Sequence, residues 1–533
     1  MKIKIKGEFC MKKIIFGVMA IGVVSTILTA CSSTSKQQQN DTKELSYWCS
    51  IPPTSISQIS NLSQMTMYQE MEKQTGIKIQ FIHPAANQSG EQFNLMIASG
   101  EFPDMIEYDW RSYSGGPDQA VADNIIVPLN DLLQDHAPNF LKLLQNNEMY
   151  DAQSKTDAGT YYGFPSVNVD QYRCFGGLLL RKDWLDDLGL NVPETLDEWE
   201  TVLRAFKEQK GATAPFTGNN DIFATSRTNV NVFNTAFGIG KGFYLDGQTV
   251  KYAVVQPEYK SFMDRMSKWY AEGLIDRNYD TNTTQLIDSK MINGESGARV
   301  GFVGSTIGTY LNVAANSDEN YDLVAAPYVV MNKGDIPKFA EVQPEISSPM
   351  IAITTACKNV EMAVEWADYL YSEKGAMLKN FGVEGLTYQM VDSKPVYTDE
   401  ILHNPEGLSI AEAMGKHFRA TSPSPGINQM DEYLEQYYQL DQQNEACATW
   451  TQYIDQAKET ALPPLTFTAE ENAELSNIML DINTYVSEMQ IKFVKGDEPI
   501  DNFDAFVENL ENMRINDAVA IYQTAADRYF NRN

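Results

Sequence analysis

Catalysis needs reactive groups at matched spacing, and in this chain most of them stand apart. His83, His136, His403 and His417 are isolated, with no HExxH pair. Residues 294–297 read GESG rather than GxSxG, and neither a phosphate-binding P-loop nor a GxGxxG fingerprint is present. Cys49, Cys174, Cys357 and Cys447 are scattered without a CxxC, so no zinc site is indicated. Two disulfides in any of three connectivities, or buried thiols, fit them equally. A pair of carboxylates about 5 to 9.5 Å apart would serve a glycosidase, and 71 acidic residues leave that open. Binding chemistry is better represented. The chain has 27 tyrosines and seven tryptophans, and flat aromatic faces beside carboxylates, amides or arginines suit a sugar's apolar C–H faces and hydroxyl rim. Trp48 and the run Asp109, Trp110 and Arg111 fall where predicted strands end, the position at which open α/β sheets hold ligands. Each of these aromatics could instead be a core residue. Arg181 and Asp183 read as a structural pair. No metal and no cofactor are expected.

The elements that would position these residues are legible. Leu45, Tyr47 and Cys49 alternate as in a strand; MTMYQEMEKQTG reads as a helix closed by Gly76; IKIQFI is a second strand. EQFNLMIASG and DMIEYDW add a helix ending at Gly100 and a third strand. Strand and helix alternation predicts a parallel sheet with right-handed crossovers. LLLRKDWLDDLGL reads as a strand entering a helix, and GFVGSTIGTYL as a turn or helix entry. Thr195 with Glu198 and Thr468 with Glu471 match capping boxes, each followed by an apolar stripe at helical spacing. The C-terminal section reads as helical throughout.

The amino terminus has a different character. Lys12 and Lys13 lead an apolar run over residues 14–30 that is too broken by glycine, serine and threonine to span a bilayer of about 20 apolar residues. It reads as a secretory signal, with Met1 or Met11 as the start. The quartet Leu28-Thr29-Ala30-Cys31 resembles a bacterial lipobox, which implies cleavage before Cys31 and transfer of a diacylglycerol to its sulfur, with palmitate among the fatty chains of the anchor. SSTSKQQQNDTKE, residues 32–44, is too polar to order itself and reads as a tether. The chain carries a net charge of −30; without residues 1–30 it would hold 36 basic and 70 acidic residues, a net charge of −34. Such a surface repels phosphate backbones and argues against nucleic-acid binding.

GEFPDMIEYDW, IIVPLNDLLQDHAPNF, TYYGFPSV, LLLRKDWLDDLGLNVPETLDEW, KWYAEGLID and GVEGLTY occur in that order. Together with the tail FDAFVENLENMRINDAVAIYQTAADRYF, they resemble the extracellular solute-binding proteins, family 1, of ABC importers. The likeness is nearest to their long, LplA-like lipoprotein branch associated with oligosaccharides. The resemblance implies an α/β, two-lobed periplasmic-binding-protein-like fold (type II) with a ligand cleft between lobes joined by a multi-strand hinge. It assigns 42–167 plus 345–392 to lobe one and 168–344 plus 393–533 to lobe two, with hinge segments near 166–170 and 344–349. By the same rule of position at strand ends and loop starts, Tyr162 and Phe164 before the first crossing, Tyr172 and Arg173 after it, and Phe302, Glu384 and Tyr388 in later loops are further ligand candidates. Expected partners are a small-molecule or oligosaccharide ligand, ABC permease subunits, and the membrane through the Cys31 anchor alone; a monomer is expected. The alternatives are a lipid-anchored glycoside hydrolase and a binding protein for peptide or another non-sugar solute. Many relatives carry a calcium loop after the LDEW helix; here EQKGATAPF offers Glu208 as its one acidic ligand, which argues against calcium there.

Overall fold

The alternation that marks Leu45 and Tyr47 as a strand buries both, and the first strand, β1, runs Glu44–Trp48. The computed structural model describes residues 43–532 apart from 87, 170–173, 221–231, 315–317 and 422. Cys31, the tether up to Thr42, Tyr172 and Arg173 lie outside the described residues. The strands that follow are β2 (Lys78–Ile82), β3 (Met105–Tyr108), β4 (Phe164–Asn168), β5 (Gly176–Arg181), β6 (Phe216–Thr217), β7 (Phe243–Asp246) and β8 (Thr249–Tyr252). Then come β9 (Ala298–Phe302), β10 (Leu323–Ala325), β11 (Ile346–Ile353), β12 (Tyr388–Val391), β13 (Lys394–Tyr397) and β14 (Gly426–Asn428).

Two larger sheets result, with orders β14-β4-β11-β3-β1-β2 and β10-β5-β9-β6. As the strand–helix alternation requires, β2 and β3 flank β1 in parallel. The connecting helices Thr66–Thr75 and Ser89–Ser99 stop at Gly76 (φ 68) and Gly100 (φ 71), left-handed positions where a glycine carries no steric penalty. Strand β11 runs antiparallel to both β3 and β4. Both capping boxes form, at Thr195 with Glu198 and at Thr468 with Glu471. The helix Leu196–Gln209 buries the stripe Trp199, Val202, Leu203 and Phe206.

Each sheet has its own core. Tyr47, Ile106, Phe164, Ile351 and Trp366 gather around the first. Trp199, Phe216, Trp269, Ile482 and Phe506 gather around the second, which the long C-terminal helix Ala469–Lys495 helps to enclose. Among the described residues the chain passes between them three times. The first two passages, beyond β4 and before β11, are zipped together: the Asn168 N–H donates to the Glu345 carbonyl at 2.9 Å and its Nδ2 to the Pro344 carbonyl at 2.8 Å. The third follows β14 and leads into the helix Asp441–Thr451, where Trp450 Nε1 donates to the Ala326 carbonyl at 3.1 Å. The Trp450 ring fills the place of a side chain at Gly177, whose Cβ would come within 2.2 Å of it.

This third passage moves a boundary. The sequence reading assigned everything after 392 to lobe two, yet β13, Ile401, Met414, Phe418 and Tyr433 join the first core and β14 pairs with β4 in the first sheet. A buried ion pair holds the stretch there. Glu107 on β3 and Arg419 are 3% and 4% exposed at their side chains, and two guanidinium nitrogens donate to the two carboxylate oxygens at 2.8 Å each. Tyr47 donates a short hydrogen bond to the same carboxylate, and Arg419 reaches the Tyr68 hydroxyl at 3.2 Å.

Two further ties matter. In the C-terminal helix Ile515–Phe530, Arg528 donates to Asp157 at 2.9 Å and to Glu471 at 2.6 Å, and Arg532, just beyond it, also holds Asp157. Asp157 precedes β4 of the first sheet, so the carboxyl end of the chain clasps the first lobe to the second. Cys49, Cys174, Cys357 and Cys447 are buried and stand outside any disulfide, and burial pushes the thiols of Cys174 and Cys357 up to about 11.

Removing one member of a buried pair strands the other charge, at a cost of about 3–5 kcal/mol. Arg419→Ala and Glu107→Ala are each expected to lose stability of that order in urea denaturation. Glu107→Leu combined with Arg419→Met is expected to cost far less than the sum; full additivity would show that the pair is not coupled.

Candidate ligand-binding site

The sequence run Asp109-Trp110-Arg111 acquires its geometry from the middle residue. Beyond β3 the backbone tightens into a short 3-10 turn, Trp110–Ser112, in which the Ser112 N–H and hydroxyl both donate to the Asp109 carbonyl. Trp110 is fully buried, its indole N–H directed at the Ile106 carbonyl and its ring edge-on to Phe93 at 5.4 Å. It is an anchor and not a platform. With it fixed, Asp109 and Arg111 remain partly exposed on either side.

Their partner comes from the second passage. Pro349 has no N–H to give, and the β11–β4 register shifts between Ser347 and Ile351. Within that irregularity the Ser348 hydroxyl donates to Asp109 Oδ1 at 2.5 Å and accepts from Arg111 Nη2 at 2.8 Å. Arg111 Nε donates to the same Oδ1 at 3.1 Å. Burial works against the Arg111 charge, and the Asp109 carboxylate more than offsets it, raising the guanidinium pKa. The result is a preset Asp–Arg–Ser triad at the carboxyl end of β3, beside the hinge. Ser348, 237 positions from Arg111 in sequence, was not among the residues chosen from sequence; the only hint was its place in the polar segment PEISSP.

The second lobe offers Phe302. It closes β9 and is 46% exposed, with its N–H donating to Thr306 Oγ1 at 3.0 Å. The next residue, Val303, begins a π-helical turn to Gly308, a geometry that recurs at functional sites. The Val303 N–H donates to the Phe175 carbonyl at 2.9 Å, which ties this turn to the first passage. Sequence reasoning also missed Tyr437, in the tyrosine-rich stretch DEYLEQYYQL. Its ring lies against Gly304, where an added Cβ would come within 2.7 Å of the hydroxyl, and burial pushes its pKa up to about 12.

Other residues expected at the ligand are placed differently. Trp48 packs against Phe93 and Tyr108, Phe164 against Phe140 and Tyr371, and Tyr388 against Phe381; all three, with Tyr162, are buried in the first core. Strand ends in this lobe are capped by aromatic packing, which consumes the faces that a sugar would need. Glu384 is exposed at the entry to the β12–β13 hairpin and makes none of the triad's bonds. Arg181 and Asp183 form the expected structural pair, with guanidinium nitrogens 2.8 and 2.5 Å from the carboxylate and the charge over the Tyr321 ring.

Among the described residues no cluster of three or more His, Cys, Asp or Glu side chains could hold a metal ion. The loop after the helix Leu196–Gln209 turns at Gly211 and buries Ala212 and Ala214. A cavity of about 490 Å³ lies apart from the triad, lined by Asp246, Ile336, Lys338 and Glu459. It has no aromatic wall, and hydrogen bonds from Lys251 and Lys338 hold the Asp246 carboxyl down to about 2, so its charges answer one another.

Two sheets, two cores and three crossings with a polar triad beside them match one known architecture. A family model described as bacterial extracellular solute-binding protein matches residues 61–377. The chain belongs to that family. The fructooligosaccharide ABC transporter substrate-binding protein FusA of Streptococcus pneumoniae is 24% identical over 507 residues, 88% of this chain and 87% of that one. Lipoprotein LipO of Bacillus subtilis is 24% identical over 518 residues, 92% of this chain and 94% of that one. Among solved structures, the alginate-binding protein AlgQ2 superposes with a TM-score of 0.73 at 23% identity, covering 91% of this chain and 98% of its own. A human-milk-oligosaccharide (HMO) binding protein from Bifidobacterium longum infantis also gives 0.73, at 18% identity, with 92% and 100% covered. This solute-binding protein therefore has the two-lobed periplasmic-binding-protein-like fold, and its family is one of extracellular binding proteins. No helix among its described residues is long and apolar enough to cross a membrane.

Anchor and contact residues should separate in stability. Trp110→Ala is expected to cost about 3–5 kcal/mol, the usual range for a buried large aromatic. Phe302→Ala, half-exposed, is expected to cost about 1 kcal/mol or less. Chemical denaturation of the two variants checks this, and a Phe302→Ala penalty as large as that of Trp110→Ala would place Phe302 in the core.

Proposed function

We propose that this solute-binding protein captures a carbohydrate, specifically an oligosaccharide, between its lobes and hands it to an ABC permease. The observation that carries the reading is the Asp109–Arg111–Ser348 triad, preset beside the hinge on one lobe, with the exposed Phe302 ring next to a crossing on the other. A carboxylate accepting from hydroxyls, a guanidinium donating to ring and hydroxyl oxygens, and an aromatic face for C–H groups are the three contacts that a sugar requires. The names of relatives point the same way: FusA is a fructooligosaccharide-binding component, and a Bifidobacterium neighbour binds human milk oligosaccharides. Hinge closure would then be driven by contacts made only when both lobes meet the ligand.

The lipoprotein relative LipO supports the lipobox reading. In this reading the protein is a monomer held at the outer face of the cell membrane by acyl chains on Cys31, with residues 32–42 between that anchor and the first described residues before β1. Two chains suffice for stable anchoring, and tethering raises the receptor's effective concentration at its permease.

A thermal-shift panel on the chain beginning at Ser32 tests the proposal, with mono- to hexasaccharides and short peptides. A ligand at 100 times its Kd adds about 2.7 kcal/mol, enough to move the melting point. Stabilisation by a saccharide, unaltered on recovery, is the expected result. Stabilisation by peptides alone, or release of a shortened sugar, would overturn it.

A further inference from the structure

Relatives named for fructooligosaccharides and for alginate leave the charge of this protein's own ligand open. We infer that the Asp109–Arg111 pair selects uncharged glycans and rejects uronate oligomers; this rests on the carbohydrate reading above and narrows it. Arg111 is the cation of the triad, and it is already engaged. Its Nε donates to Asp109 Oδ1 at 3.1 Å, and its Nη2 to Ser348 Oγ at 2.8 Å. The pair is electrically neutral, and its geometry is fixed before any ligand arrives.

Exposure then decides which charge a ligand meets. The Asp109 side chain is 45% exposed and that of Arg111 23%. Both bonds within the triad converge on Oδ1, so Oδ2 lies outside them. An ionised carboxylate only accepts hydrogen bonds. A sugar hydroxyl supplies the proton that it needs; a uronate carboxylate at neutral pH brings none and adds a like charge in a closing, water-poor site. Like-charge juxtaposition is an established device for rejecting a competitor. The net charge of −30 works in the same direction, by slowing the approach of anions.

Asp109→Asn isolates the charge, because the amide oxygen can still accept from Arg111 and Ser348 while the guanidinium becomes uncompensated. Titration calorimetry would compare wild type and Asp109→Asn against neutral tetrasaccharides of fructan, xylan, mannan and galactan, and against tetragalacturonate and tetramannuronate. Wild type is expected to bind its best neutral glycan at least tenfold more tightly than either uronate. The variant is expected to lose at least tenfold of that preference, and its uronate binding should weaken as salt rises. A uronate binding wild type as tightly as the best neutral glycan would overturn the inference while leaving the carbohydrate reading intact. An unchanged preference in Asp109→Asn would overturn the role of this pair. Silence from wild type towards every glycan would overturn both. If the variant does not fold, the wild-type preference decides alone.

Discussion

A carboxylate inside a β-sheet has to be answered, and the answer to Glu107 organises this molecule. Glu107 sits on β3 between the apolar residues Met105 and Ile106 and the strand end at Tyr108, where an unpaired charge would cost several kcal/mol. Arg419 answers it from 312 positions away. Burial opposes the Arg419 charge, and the Glu107 carboxylate outweighs it. The neighbourhood has a second buried base, Lys379, whose pKa burial pushes well below the ordinary lysine range and which donates to the Ser424 and Pro425 carbonyls. These two bases fix the residues leading into β14, so the third passage between lobes starts from a rigid point. The Asp109–Arg111–Ser348 triad begins only two residues after Glu107.

Much of this was readable from the sequence, and what was not has a single physical origin. Local signals gave local structure: the capping residues Thr195 and Thr468 start their helices, Gly76 and Gly100 end theirs, and the alternating strands pair in parallel. Family motifs gave the two-lobed fold. The boundary at 392 failed because Arg419 and β14 are held by partners hundreds of residues distant, and nothing near them in the chain says so. A glutamate in the apolar strand MIEY needs a buried cation, but the sequence reading did not single it out, and which of 41 basic residues supplies its partner is not legible.

The site divides in the same way. Position at a strand end made Asp109, Trp110 and Arg111 candidates, but residue type alone does not separate an aromatic anchor from an aromatic platform. Trp48, Trp110, Tyr162, Phe164 and Tyr388 all serve packing, and Phe302 keeps an open face because it enters a π-helical turn at the lobe edge. Ser348 enters the triad only through the β11 irregularity at Pro349, a long-range consequence of sheet pairing. The Arg528–Asp157–Glu471 clasp, also long-range, is a further tie that any closing motion has to accommodate.

Hydrogen–deuterium exchange of the chain from Ser32, with and without a saturating glycan, tests most directly whether ligand is held between the lobes at this triad. Capture by closure predicts protection gained together at residues 109–112, 346–349 and 302–308, segments from both lobes. Protection confined to one lobe, or centred on the cavity around Asp246 and Lys338, would contradict it.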